Sequence, residues 1–509
     1  MIKAPNNGFS GIISRIRAFN STGLKLTDDG GNGIFVQDGG NVGIGTDTPS
    51  KQLELTKSME LPKTIDNTVG IIFKNGSPFI HDFSHQTGDS AVPLGDNLFI
   101  GDNAGNFTVG STAYSGTHGS YNAAIGKNAL QSLTIGYGNT AFGLNVGKSI
   151  TTGYNNVGLG ANCMTNLTVG TNNIVAGFES LSTATACYFN VAMGYQAMKD
   201  TTTGSYSVGI GYNALTKVTN AYYNAAIGHF AGSNITTGVS NVAIGPLSLR
   251  NTTTGSYNTA IGMQACFNQV SLTGTTAIGA YTLKDNVSGT QNTAIGYETL
   301  QAATSSNNTG IGYSALRNSI NGGGNTAVGA NALGLGGLSG FTVENSTAIG
   351  MEALKSTFAS SGCVAVGYRA GLETIDSPGF PTYLATDSIF IGRDTKSKNL
   401  FVNAQNQIVI GAGAASIGDN TTVIGNSSCT ITALRGKVGA GVDAPATSLH
   451  ASGAITANEL SADPANPAEG SFVTWMSNGT GSGDDGDIMV KITAGGTTKT
   501  ITLIDFSAA

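Results

Sequence analysis

Between Gly119 and Gly371 apolar and polar positions follow one short phrase that returns again and again. It reads NAAIG at Asn122 to Gly126, NTAFG at Asn139 to Gly143, NVAIG at Asn241 to Gly245, and NTAIG at Asn258 to Gly262 and Asn292 to Gly296. The closing glycine is a marker. It recurs every 17 residues from Gly126 to Gly296 and continues at Gly312, Gly329, Gly350 and Gly367 with steps of 16, 17, 21 and 17, fifteen units in all. A fixed short period is the signature of a stacked architecture. Just before the marker stands a bulky apolar residue (Ile125, Phe142, Leu159, Ile227, Ile244), and before that a small one (Ala124, Ala141, Gly158, Ala226, Ala243), with Val175 the exception. Successive positions of opposite size put the two kinds on opposite faces of a strand. Three and four residues past the marker a second small-large pair recurs, as in Ala129-Leu130 and Ala214-Leu215. The pattern predicts two short strands per unit, divided by glycine and closed by a polar link such as TTTGSY. Glycine, threonine and asparagine disfavour helix.

Such a unit is one coil of a parallel β-solenoid, each strand pairing with its equivalent about 4.8 Å along the axis; fifteen coils span roughly 70 Å. The asparagine four residues before the marker (Asn122, Asn139, Asn156, Asn173, Asn190, Asn224, Asn241, Asn258, Asn292, Asn325) is expected to stack into an amide ladder. Gly153, Gly170, Gly204, Gly238, Gly255 and Gly289 are expected to supply positive φ at turns. In this reading the isoleucines fill the coil. Each contributes about 1.5 to 3 kcal/mol against roughly 1 to 2 kcal/mol for every ordered residue, so one thin coil is underfilled. The column of alanine and glycine on the other face then lets neighbouring chains approach, which predicts a parallel homotrimer.

The flanks divide the chain further. Residues 1–36 form an N-terminal segment with Ile12, Ile13, Ile16, Arg15 and Arg17, and 37–57 a linker containing NVGIGTDTPSKQLEL. A small β module over 58–110 caps the roll of 111–375 and hides its first open edge. Degraded coils follow over 376–435, after a break at DSPGFPTY where Pro378 and Pro381 mark a turn, with Gly392, Gly411 and Gly425 as loose markers. The first linker is echoed over 436–461 by KVGAGVDAPATSLHASG, and a small β domain over 462–509 holds the single tryptophan, Trp475.

Composition narrows the function classes. Seventy-four glycines and 11% charged residues are unusual for a soluble enzyme, and a net charge of −6 leaves no electrostatic footprint for nucleic acid. The expected partner is uncharged or weakly charged, a glycan or a protein. Five cysteines without a C-x-x-C pair (Cys163, Cys187, Cys266, Cys363, Cys429) read as isolated buried thiols. The chain opens MIKAPNNGFS without an apolar signal core and has no membrane-length apolar run, so no membrane insertion is expected.

The N-x-A-I-G-x-x-A/S-L phrase resembles the head repeat of YadA-type trimeric adhesins, and closer still the long form found in bacteriophage tail fibres. The doubled V-G-x-G phrase at Val42 and Val438 resembles the linker that flanks shaft modules in such fibres. The resemblance implies a left-handed parallel β-roll, three chains around one axis, a surface-binding role, and no active site in the roll. It implies a virion tail location, with the N-terminal segment joining other tail or baseplate proteins and the fibre meeting a host glycan or protein receptor. The 17-residue period is longer than the adhesin head unit, so each coil should carry a longer turn. Many such fibres end in a self-cleaving helical chaperone; KTITLIDFSAA has no such helices, so either the chain is trimmed or the small β domain sets trimer register.

Candidate chemistry is sparse, and no catalytic, cofactor or metal residue is assigned. A G-x-G beside a strand lacks the third glycine and helix of a dinucleotide loop. His81 and His85 have metal-compatible spacing but no carboxylate or cysteine cluster nearby. Asp484, Asp485 and Asp487 could hold calcium, though an acidic glycine-spaced turn is more often a solvated hairpin loop. A polysaccharide-cleaving tailspike would need paired carboxylates, and of the acids between Gly119 and Gly371 (Glu179, Asp200, Asp285, Glu298, Glu344, Glu352) no two in neighbouring coils stand at matched positions apart from Asp285 and Glu298, 13 residues apart. A secreted bacterial adhesin is the other alternative. Tyrosines one residue past the marker (Tyr195, Tyr212, Tyr297, Tyr313, Tyr368) and in the turns (Tyr121, Tyr206, Tyr223, Tyr257) form rows suited to packing between coils or to stacking on sugar faces.

Overall fold

In a computed structural model the residues 58–318 are described without interruption, with shorter stretches on either side; 1–23, 335–341, 373–383, 399–403, 430–437, 441–448, 452–458 and 505–509 are among those outside. The expected turn prolines and the apolar cluster of the first segment lie outside the described residues. The protein is all-β, a parallel β-solenoid of 17-residue coils flanked by small sheets. Its ladder of three-residue strands runs from Leu98–Ile100 to Thr422–Ile424. Each strand pairs in parallel, in register, with its equivalent one coil on: Ala226 meets Ala243 and Ile227 meets Ile244. Among the described residues no pairing joins the last strand to the first, so the ladder is linear. At its start the strands Ile72–Lys74 and Ser77–His81 form an antiparallel hairpin, and Ile80 and His81 pair with Ile100 and Phe99.

Two local expectations are corrected. The second apolar segment of each coil is a run of turns, not a strand. Its residues alternate into the left-handed region, at Asn128 (φ 58°) and Leu130 (φ 50°), then Gln196 and Met198, then Asn213 and Leu215. Left-handed backbone costs roughly 1 to 2 kcal/mol at a leucine, which burial of that leucine offsets at about 1.5 to 3 kcal/mol. The turns still bond from coil to coil, Leu130 N–H to the Val146 carbonyl at 3.1 Å and Leu181 N–H to Ala197 at 3.0 Å. The second correction concerns the turn glycines. Gly153, Gly170, Gly204, Gly238, Gly255 and Gly289 do not have positive φ; the left-handed residue is the one two positions on, such as Asn155, Asn172, Tyr206 or Tyr257. Those glycines are there for space, since a Cβ on Gly204 would sit 2.6 Å from the Ala221 carbonyl oxygen of the next coil.

The faces of the strand are also the reverse of the expected ones. Ala124, Ala141, Ala192, Ala226, Ala243, Ala260 and Ala277 are fully buried or within 1% of it, in one continuous core with Leu130, Leu181, Leu215 and Leu249 from the turns. Most of the bulky residues before the marker point outward, 36% exposed at Ile244 and 43% at Leu159, with Ile210, Ile261, Val328 and Val366 half-buried. The coil interior is one side-chain layer deep, and the turn leucines fill it; only a small residue fits opposite them. Volume is conserved where the rule breaks. Phe99 takes the alanine position where Gly105 takes the leucine position, and a Cβ on Gly105 would lie 2.5 Å from the Phe99 ring. Val175, the sequence exception, is likewise buried.

The asparagine four residues before the marker lies inside the coil. Asn139 Nδ2 donates to Asn122 Oδ1 at 3.1 Å, the Asn139 backbone N–H donates to the same oxygen at 3.0 Å, and Nδ2 also donates to the Gly153 carbonyl at 2.9 Å. The same set recurs at Asn156, Asn173 and Asn190, and at Asn241 and Asn258. Between them Asn224 accepts from Asn241 while its own N–H is taken by Ser207 Oγ at 3.2 Å. Asn292 and Asn325 are joined through Asn308, and Asn122 donates onward to Asn97. Asn97, Ser207 and Asn308 belong to the column although uneven steps or a changed residue type hide them in the sequence. Replacing Asn156 by alanine would strand the Asn173 N–H and leave Asn173 Nδ2 with only the Cys187 carbonyl, since both donate to the Asn156 oxygen, in a fully buried site. The expected loss is about 2 to 4 kcal/mol, read from the denaturant midpoint, with Asn156→Ser costing less because Ser207 shows a hydroxyl can receive the backbone donor.

The doubled linker phrase makes the same small structure twice. Val42–Ile44 pairs in parallel with Leu53–Leu55, and Val438–Ala440 with Leu449–Ala451, Val42 opposite Leu53 and Val438 opposite Leu449. The first pair is extended by antiparallel strands Gly33–Val36 and Leu24–Thr27. The chain divides after Ser427. In the second unit Ser471–Asn478, Asp485–Ala494 and Thr497–Ile504 form an antiparallel sheet, with Glu459–Leu460 parallel at its edge and Trp475 buried.

Candidate functional site

Three surface features follow from the 17-residue register. The first is the outward stripe of Ile125, Phe142, Leu159, Met193, Ile227, Ile244, Ile278, Ile295 and Ile311, each at the same place on its coil. Exposed apolar patches beyond a few hundred Å² mark interaction sites. The second lies beside it, one residue past the marker. Phe178, Tyr195, Tyr212 and His229 stack coil on coil, with centroids 5.6, 5.1 and 5.3 Å apart, and Tyr297 stacks on Tyr313 at 5.7 Å. These rings pack against one another and remain about 40 to 50% exposed.

The third feature is a cleft of about 510 Å³ on the turn side of the first coils. Two aromatic columns bound it. In one, Tyr137 stacks on Tyr154 with centroids 4.7 Å apart and planes 3° from parallel, and His118 lies beyond Tyr137 at 6.2 Å. In the other, Phe189, Tyr206 and Tyr223 stack at 5.1 and 5.3 Å. The Tyr137 phenol is held above its ordinary pKa by burial first, then by Tyr154 and Tyr114. Ile135, Thr152, Val169, Thr171 and Tyr188 complete the lining with Tyr114. Tyr206 belongs to the turn row read from the sequence; the cleft itself was not legible there.

The sequence candidates for chemistry are dispersed. His81 is buried, with Nε2 3.0 Å from the Ala104 carbonyl and its ring stacked on Phe107 at 4.6 Å; burial holds its pKa below the ordinary value. His85 Nδ1 contacts the Thr87 carbonyl instead. Asp484 lies outside the described residues, Asp485 is in a strand paired with Asn478, and Asp487 is buried. Among the described residues no group of three or more His, Cys, Asp or Glu is placed to hold a metal. Four of the roll's six acids have local side-chain partners: Glu179 to Lys199 at 2.8 Å, Glu298 to Arg317 at 3.1 Å, Glu352 to Lys355 at 2.5 Å, and Asp285 to Asn268 Nδ2 at 2.9 Å. Cys163, Cys187, Cys266 and Cys363 are buried, and burial pushes the first two thiols up to about 12. Cys429 is exposed, contrary to the expected burial of all five. No helix among the described residues is long and apolar enough to cross a membrane. No protein-family model matches the chain, and no curated protein matches it.

Proposed function

We propose that this chain is a structural and adhesive fibre protein, a homotrimer wound in parallel about its solenoid axis and carried on a bacteriophage tail, where it contacts the host surface. The observation that carries the reading is the outward stripe of bulky apolar residues repeated along the ladder. Each stripe residue is exposed by about a third to a half, and covering it contributes about 1 to 2 kcal/mol, summed over many coils. A repeating straight stripe is matched in pitch only by another solenoid of the same rise, which favours a second and third copy of this chain over a globular partner. The repeat resemblance supports the tail assignment, and the local pairing of four of the roll's six acids favours a binding role over the tailspike hydrolase. Immunogold labelling with an antibody to the chain should decorate fibres projecting from the particle's tail. Label confined to the bacterial envelope would replace this reading with the secreted adhesin, and polysaccharide cleavage by the purified chain would replace it with the depolymerase.

A further inference from the structure

The aromatic columns of the turn side are interrupted, and the interruption lies in the cleft. Successive coils carry Tyr137, Tyr154, Thr171 and Tyr188 at one position and Asn155, Asn172, Phe189 and Tyr206 at the next. One stack therefore ends at Tyr154 and the other begins at Phe189, with the coil of Thr171 and Asn172 between them. Toward that level the facing rings, Tyr154 on one side and Tyr188 and Phe189 on the other, have no aromatic neighbour, and each lies about one coil rise of 4.8 Å from it. That spacing suits one flat ring with C–H faces, at van der Waals distances of about 3.5 to 4 Å.

The rest of the lining fixes the chemistry of the occupant. The cleft follows the axis for about 24 Å, and its residues include no Asp, Glu, Lys or Arg. Its hydrogen-bonding groups are Thr152, tyrosine hydroxyls and His118, whose Nδ1 is buried without a hydrogen-bond partner; the buried Thr171 hydroxyl accepts from Asn172 Nδ2 at 3.3 Å. An anionic or cationic chain would find no counter-charge here. A nucleic acid would lose its phosphate contacts, and a peptide would find no exposed strand edge in a cleft lined by side chains.

We propose that this cleft binds an uncharged oligosaccharide, one sugar ring lying at the level of Thr171 between the two aromatic stacks and further rings running along the groove. The proposal deepens the adhesive reading and rests on it for its biological setting. Thr171→Tyr tests it, because tyrosine already occupies the equivalent position at Tyr137, Tyr154 and Tyr188 and would extend the stack through the vacant level without altering the coil. The full chain, Thr171→Tyr and Tyr257→Ala, the last a turn tyrosine outside the cleft, should be applied to a glycan array holding uncharged and acidic oligosaccharides. Thermal unfolding should be matched first. Retention on uncharged glycans is expected, falling at least about tenfold in Thr171→Tyr and unchanged in Tyr257→Ala. No retention by the unaltered chain, retention on acidic glycans alone, an undiminished Thr171→Tyr, or an equal fall in Tyr257→Ala would each overturn it. A chain that labels tail fibres yet retains no uncharged glycan removes this proposal and leaves the fibre reading standing; glycan retention by a chain absent from the tail does the reverse.

Discussion

Alanine at Gly279 is expected to break the solenoid in its middle. The marker glycines form a column with φ near +130°, +136° at Gly126 and +127° at Gly279, a region that side-chain-bearing residues rarely enter. A Cβ there would also fall within the van der Waals envelope of the Gly296 carbonyl oxygen. Relief by backbone movement would separate the strands Thr276–Ile278 and Thr293–Ile295, which are held in register on both sides. The cost combines about 1 to 3 kcal/mol of conformational strain with the loss of coil-to-coil hydrogen bonds such as Gly296 N–H to the Ile278 carbonyl. A loss of about 4 kcal/mol or more is expected, visible as early hydrogen exchange in the coils around Gly279 and a lower unfolding midpoint. Gly274→Ala should cost far less, although its φ is +70°, because a Cβ there meets no backbone of the next coil.

Periodicity carried most of the fold into the sequence. The recurring Gly126, Gly143 and Gly160 set the coil length, and Asn122, Asn139 and Asn156 sit in a buried column whose members bond at that spacing. The alternation of Ala124 and Ile125 shows that two faces differ but not which one is inside. That depends on Leu130 and Leu133, which belong to the turns and fill the interior layer; the energetic preference for burying isoleucine loses to the width of the coil. The turn segment was misread for a related reason. Ala129-Leu130 looks like strand sequence, yet Asn128, Asn145, Asn162 and Asn213 precede it in left-handed backbone, and asparagine's tolerance of that region was the available signal. The cleft could not be read because it is an absence, Thr171 where tyrosine stands in neighbouring coils, and it has meaning only once the register is known.

The reversal of the two faces moves the proposed contact between chains from the alanine column to the isoleucine stripe. Around a threefold axis each stripe position brings three copies together, so a charge placed at one position is met by two of its own kind. Ile244→Glu combined with Ile278→Glu would bury six carboxylates per trimer, at several kcal/mol each, while leaving the coil interior of Ala243 and Ala277 untouched. Alanine-column changes cannot test the interface, since those residues are the core. Sedimentation equilibrium of the full chain is the most direct test. A mass about three times the 51.4 kDa of one chain, falling towards one chain in the double glutamate variant, is the predicted result; a folded monomer before any substitution, or a trimer that survives both glutamates, would contradict it.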